Sequence, residues 1–376
     1  MQPQDIDNFA IPWPKVVDYD PMGRIGLRVS LYFRDGYAIE RRQALLRIVE
    51  QYVAFAGDRI KLYQQAGERR YRTAAASEPV DLEPTRLATT QPMAPWGLFL
   101  SGETNIGTAS HWSLVSVASS NGYLLLHFPV TAFEESQPHA FRKLFQQWCS
   151  ELKVQQAYAG LGIILPTGGR AMHTAIDHCG PIASRFIGLD VDYPGATARS
   201  CKDGIRCINW LTAINESWLE RVHGADAVLQ LAGPDVTSMP YDGGTIFIAG
   251  PSPQFGDAEN GLIPKEYVAL GRAVAPLRVE YQEWLFLPPE HFTTPPDFTA
   301  SYVKLRVEPE DLPKHWFTHR WMARFDGVQR STCRAWTFKA DCRHAPGWGQ
   351  IASSVWARRA PASVSWRFLI GAMASS

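Results

Sequence analysis

The sequence predicts an α+β fold, a mixed and largely antiparallel sheet covered by amphipathic helices, and three observations predict it. Between Tyr241 and Lys265 lies a nearly unbroken apolar run, Thr245-Ile246-Phe247-Ile248, entered through Gly243-Gly244 and stopped by Gly250-Pro251. Such a run implies burial on both faces, as in the middle of a sheet covered by other elements. HWSLVSVA (111–118) and YLLLHFPV (123–130) flank Ser119-Ser120-Asn121-Gly122, whose Asn-Gly pair favours a tight hairpin turn. Strand–helix–strand units alternate with that hairpin elsewhere, which points to an α+β domain rather than a parallel-sheet one.

In chain order, residues 1–22 are rich in Pro and Asp and read as irregular. Residues 24–33 alternate Ile25, Leu27, Val29, Leu31 and Phe33 with polar partners, the pattern of a half-buried strand. A helix follows near 40–56, with Leu45, Val49, Tyr52, Val53 and Ala56 on one face and Gly57 as its stop. Residues 66–108 show little periodicity and read as a long excursion with one short strand near Trp96–Leu100. Past the hairpin, Ser136 is a cap for a helix bearing Phe141, Leu144, Phe145, Trp148 and Leu152, the clearest amphipathic spacing in the chain. AYAGLGIIL (157–165) is a strand, and a helix interrupted near Gly180-Pro181 spans 170–186. GLDVDYPGA (188–196) is an extended turn segment, Ile205–Ile214 a strand, and Ser217 the cap of a helix with Trp218, Leu219 and Val222. After the 245–248 strand, Pro264 opens a helix with Tyr267, Leu270, Gly271 and Val274. A strand across Leu277–Leu287, another at Ser301–Val307 and a short helix at Asp311–Phe325 close the body.

The organisation expected is one α+β domain over 1–330 and a basic, Trp-rich tail, 331–376, outside the fold. That tail holds six Lys/Arg and one acid, which leaves 31 basic and 36 acidic residues in 1–330, a net charge of −5. A mildly acidic body is poorly suited to grip nucleic acid directly and suits a basic partner better. No apolar run is long enough to span a bilayer, and MQPQDIDNFAIPWPK lacks the basic-then-apolar order of a secretory signal. Six cysteines at 149, 179, 201, 207, 333 and 342 show neither C-x-x-C nor framework spacing, as expected of reduced cytosolic thiols.

Constellations that could carry chemistry each fail on a physical point. His315 and His319 have the i, i+4 spacing of a zinc pair but lack the metalloprotease Glu and a nameable third ligand. Gly250-Pro251-Ser252-Pro253-Gln254 approaches a nucleophile elbow, yet Pro253 forces Ser252 into extended geometry that the strained elbow cannot use. Gly160-Leu161-Gly162 is half a dinucleotide fingerprint placed inside a strand, where close packing on a helix explains it better. The lone E-x-K, Glu151-Leu152-Lys153, ends a helix instead of lying on a strand after a Pro-Asp pair. No catalytic residue, cofactor or metal is therefore expected, and a binding protein is. An alternative function uses the His173/His178/Asp190/Asp192 region to hold a metal or a small molecule.

Five segments taken together resemble the type VI secretion immunity family, long catalogued as a domain of unknown function, some of whose members neutralise VRR-Nuc toxins. They are RVSLYFRDG (28–36), YAGLG (158–162), GLDVDYP (188–194), DGIRCINWLTAI (203–214) and YDGGTIFIAGPSPQFGD (241–257), covering roughly 24–290. The resemblance implies a cytoplasmic antitoxin that binds a cognate effector, a nuclease of VRR-Nuc or other restriction-endonuclease type, and blocks its active site. It carries over no catalytic residue and no contact motif. The acids best placed to meet a basic groove are Asp257 and Glu259, in a loop where Gly and Pro exclude regular structure, followed by Asp190 and Asp192.

Overall fold

The computed structural model describes residues 3–12, 21–91, 94–133, 137–279, 321–322 and 324–325. Expected features beyond them, namely the Ser136 helix cap, the strand at 301–307, most of the helix at 311–325 with His315 and His319, and the tail 331–376, lie outside the described residues. The strand of 277–287 does so beyond residue 279.

The strands are β1 (Ala10–Ile11), β2 (Gly23–Arg34), β3 (Leu62–Gln65), β4 (Arg72–Thr73), β5 (Trp96–Ser101), β6 (Ser113–Ala118), β7 (Asn121–Phe128), β8 (Gln156–Ile164), β9 (Leu211–Asn215), β10 (Val236–Tyr241) and β11 (Gly244–Ala249). They form one sheet in the order β10-β11-β9-β8-β2-β7-β6-β5-β3-β4, with β1 added beside β2. Every ladder is antiparallel, and parallel pairing among the described residues is confined to single bridges such as Gly162–Asp190. The fold is α+β, as the alternation of elements predicts.

The middle of the sheet is β2 and β7, whereas the fully buried β11 is second from the edge. Its outer neighbour β10 reads poorly in sequence because VTSMPY carries a proline and exposes Thr237, Ser238 and Pro240, which edge strands tolerate. The hairpin turn falls at Ser119-Ser120; Asn121 and Gly122 already belong to β7, paired with Arg34 and Phe33. Gly122 is required there because a Cβ would stand 2.3 Å from the Phe33 ring.

Two faces of the sheet differ in chemistry. Leu27, Val29, Leu31 and Phe33 of β2 share one face with Leu124 and Leu126 of β7, under α2 (Ile39–Ala56) and α4 (Gln137–Leu152), while a short first helix, α1 (Pro3–Asp7), forms in the N-terminal stretch that the sequence reads as irregular. Leu45, Ile48, Val49 and Tyr52 of α2 join Phe141, Phe145, Trp148 and Leu152 of α4 in that core. Gly57 ends α2 at φ +57°, as its sequence position predicts. Its Arg42 is fully buried and donates to the carbonyls of Gly36, Ala88, Gln91 and Ala94, so it fastens the irregular stretch around α3 (Glu83–Thr89) to the core.

The opposite face carries Arg28, Ser30 and Tyr32 of β2 beside Gly160, Tyr158 and Gln156 of β8. Residues 165–210 cross over it, with α5 (Gly169–Ile176), α6 (Gly180–Arg185) and α7 (Pro194–Ser200). Of the expected Ile205–Ile214 strand only Leu211–Ile214, extended to Asn215, is realised as β9, because Arg206 and Asn209 turn inward over the sheet. Asn215 caps α8 (Glu216–Leu219), in place of the expected Ser217, by accepting from the Trp218 N–H at 2.9 Å. The helices α9 (Ala225–Ala232) and α10 (Lys265–Val274) pack on each other near β10 and β11.

Candidate functional site

Two arginine–carboxylate constellations occupy the polar-face side of the molecule, and they contain all four acids singled out in the sequence. The inner one forms where β8 outruns β9. Because β9 pairs only with Gln156–Ala159, the open edge of β8 beyond it is satisfied by Asp190, whose N–H donates to Leu161 O at 2.9 Å and whose carbonyl accepts from Ile163 N–H at 2.8 Å. That pairing aims Asp190 and Asp192 at the sheet, where they are 1% and 0% exposed.

There they meet two buried guanidinium groups. Arg206 donates to Asp190 at 2.9 Å and 3.0 Å and to Val191 O at 2.8 Å, and lies 3.7 Å from Asp192. Arg28 donates to Ile163 O at 3.0 Å and to Asp192 O at 3.1 Å, with Asp190 and Asp192 carboxylates at 4.0 Å and 3.9 Å. Tyr32 and Thr197 hydroxyls donate to the Asp192 carboxylate. Burial alone would lower the Arg206 pKa, but Asp190 and Asp192 more than offset it and hold the guanidinium well above its usual value. Burial, then the neighbouring Asp192, pushes the Tyr32 hydroxyl far above its ordinary range, so it stays a proton donor. The glycines of β8 make room for this cluster: a Cβ on Gly160 would stand 2.2 Å from Asn209 Oδ1, and one on Gly162 3.0 Å from the Arg28 side chain. They clear Asn209 of the crossing segment and Arg28 of β2, not a helix as the sequence suggests. Arg324 and Trp321 close the outside, the Arg324 guanidinium stacking 3.7 Å over the Trp321 ring and donating to Ile187 O at 2.7 Å.

Asp190 and Asp192, expected as contact residues, are buried here, their carboxylates facing Arg28 and Arg206 within the fold. Two of the four residues of the alternative metal or small-molecule region are thus engaged by arginines. His173 lies edge-on to the Tyr193 ring at 5.6 Å, and among the described residues no three His, Cys, Asp or Glu side chains gather where they could hold a metal ion. Cys149, Cys179, Cys201 and Cys207 are buried.

The outer constellation is the loop after β11. Backbone bonds from Gly188 N–H to Phe255 O (2.6 Å) and from Ala258 N–H to Arg185 O (2.8 Å) tie it to the end of α6 and to the start of the Asp190 segment. Asp257 and Leu262 exchange two backbone hydrogen bonds of 2.7 Å and 2.9 Å and so close the loop. The Asp257 carboxylate accepts from Glu259 N–H at 3.2 Å and Asn260 Nδ2 at 2.8 Å. Asp257 is thus the loop's organiser, only 9% exposed, whereas the sequence suggests an open charge. Glu259 is exposed, as expected, and both acids converge on Arg185, at 3.3 Å from Asp257 and 3.1 Å from Glu259. Sequence reasoning missed the large apolar residues the loop presents: Leu262 is 59% and Ile263 43% exposed. The signal was an apolar pair directly after a turn glycine.

The fold and this site describe an α+β protein with a large antiparallel sheet and a braced surface loop. A Pseudomonas aeruginosa protein of the type VI secretion system (T6SS protein PA0821) shares the fold, with a TM-score of 0.65 at 20% identity over 84% of this chain and 87% of that one. The family model for type VI immunity to VRR-Nuc (TsiV) matches residues 46–294, and the chain belongs to that family. No curated protein matches it.

Proposed function

We propose that the protein is a cytoplasmic immunity protein that binds a VRR-Nuc-type nuclease effector and blocks its active site by occupancy, without turnover of its own. The observation that carries this reading is membership of a type VI immunity family across residues 46–294. The acidic balance of residues 1–330 supports it, since a nuclease that holds DNA presents a basic groove that an acidic surface meets favourably. None of the helices described is long and apolar enough to cross a membrane.

An antidote must hold a lethal enzyme at low copy number, so the expected complex is 1:1 with a dissociation constant on the order of nanomolar or below. Size-exclusion chromatography with light scattering on the purified pair, followed by calorimetry, reads both quantities. Nuclease, hydrolase or transferase turnover by the chain alone, or micromolar affinity for the effector, contradicts the reading.

A further inference from the structure

The loop after β11 ends in an apolar tip, and we infer that Leu262 and Ile263 are the anchor that this chain inserts into the active-site cleft of its nuclease partner, with Glu259 beside them as the steering charge. The inference rests on the functional reading above and names the contact surface for it.

The residues from Glu259 to Ile263 are exposed without interruption. Large aliphatic side chains this open, side by side on a loop, are what a protein–protein contact uses to fill a pocket. The loop is also held in shape before any partner arrives. The two Asp257–Leu262 backbone bonds close it, the Asp257 carboxylate braces Glu259 and Asn260, and Arg185 ties both acids to α6. Gly256 and Gly261 take the left-handed values the turn needs, φ +62° and +69°. A tip fixed in this way loses little conformational freedom on binding.

Charge selects the occupant. Two carboxylates share the single Arg185, so the loop keeps an excess of negative charge. A second copy of the chain would set that excess against itself across a two-fold contact, which like charges oppose. A DNA-gripping cleft is basic and complements it. Because Arg185 engages both acids, charge at this loop mainly sets association rate and the buried aliphatic pair sets affinity.

The test measures binding of a cognate VRR-Nuc effector domain to the parent protein, to Leu262→Ala/Ile263→Ala, to Glu259→Lys, and to Leu87→Ala. Leu87, 61% exposed on α3, is the control. The aliphatic double variant keeps the parent's melting temperature and loses at least about 30-fold in affinity, through faster dissociation, equally at low and high salt. Glu259→Lys slows association at low salt and converges on the parent at high salt. Leu87→Ala binds as the parent does. If the parent binds and the double variant binds within about threefold of it, the anchor is overturned and the functional reading stands. If the parent does not bind, both fall. Self-association of the parent that the double variant abolishes assigns the tip to a second copy instead and overturns the inference.

Discussion

The inner and outer constellations use the same parts, arginine against paired aspartate or glutamate, and burial alone gives them different work. Arg206 and Arg28 sit with Asp190 and Asp192 at 0–2% side-chain exposure. Arg185 sits with Asp257 and Glu259 at 12–25%. In the inner site each charge has left water and depends on its partners, so the cluster acts as an all-or-none lock between the crossing segment and the sheet. In the outer site water screens the pairs, so they shape a loop at small energetic cost and leave its tip free to touch another molecule. A sequence reading that ranks acids by loop context cannot separate the two.

The largest expected effect breaks the inner lock. Arg206→Met leaves Asp190 and Asp192 short of a cation in a buried interior, and should cost about 3–5 kcal/mol or prevent folding. Urea unfolding monitored by Trp fluorescence measures this, and a loss under about 1 kcal/mol would mean that water reaches the cluster.

A second substitution breaks the junction between the two sites. At Gly188 a Cβ would stand 2.0 Å from Gln254 O and 2.5 Å from Phe255 O, both backbone atoms. Gly188→Ala should cost about 1–3 kcal/mol or more through forced backbone movement, and should also weaken effector binding by shifting the loop. Parent-like stability together with parent-like binding would show that the junction is pliable.

Buried titration sharpens the comparison from a group with no opposing charge. His127, beside Arg28 on the polar face, has its pKa pushed well below 6.5 by burial and then by Arg28 and His111. The unfolded chain therefore takes up this proton more readily than the folded one. The stability involved is present above about pH 6.5 and is lost as pH falls toward the depressed folded value. Thermal unfolding from pH 7.5 to 4.5 should show this loss. A His127→Gln variant should show a shallower acid slope, and an unchanged slope would remove His127 from the account.

The smallest effect is expected at the outer site. Arg185→Ala should lower stability by about 1 kcal/mol or less, while loosening the loop and slowing effector association. A loss comparable with that of Arg206→Met would erase the distinction between the two constellations.

Legibility followed burial chemistry as well. The period-two run of β2 and the 3.6-residue spacing of α2 and α4 were plain in the sequence, because apolar residues there face one core. The strand β10 and the helices α3 and α9 were not, since they are short, exposed along much of their length, and interrupted by proline or weak in period. Arg28, Arg42 and Arg206 were illegible as interior residues, because charge ordinarily marks surface and only the fold supplies their partners. The loop after β11 was visible as a loop. What it withholds and what it presents, Asp257 turned to its own backbone and Leu262 turned outward, depended on the closing bonds and on Arg185.

The most direct measurement is DNA cleavage by the proposed VRR-Nuc effector partner titrated with this chain. Cleavage should fall linearly and stop at one equivalent, with the chain itself cleaving nothing. Cleavage that persists at full strength beyond several equivalents would contradict the assignment of this protein as the effector's immunity partner.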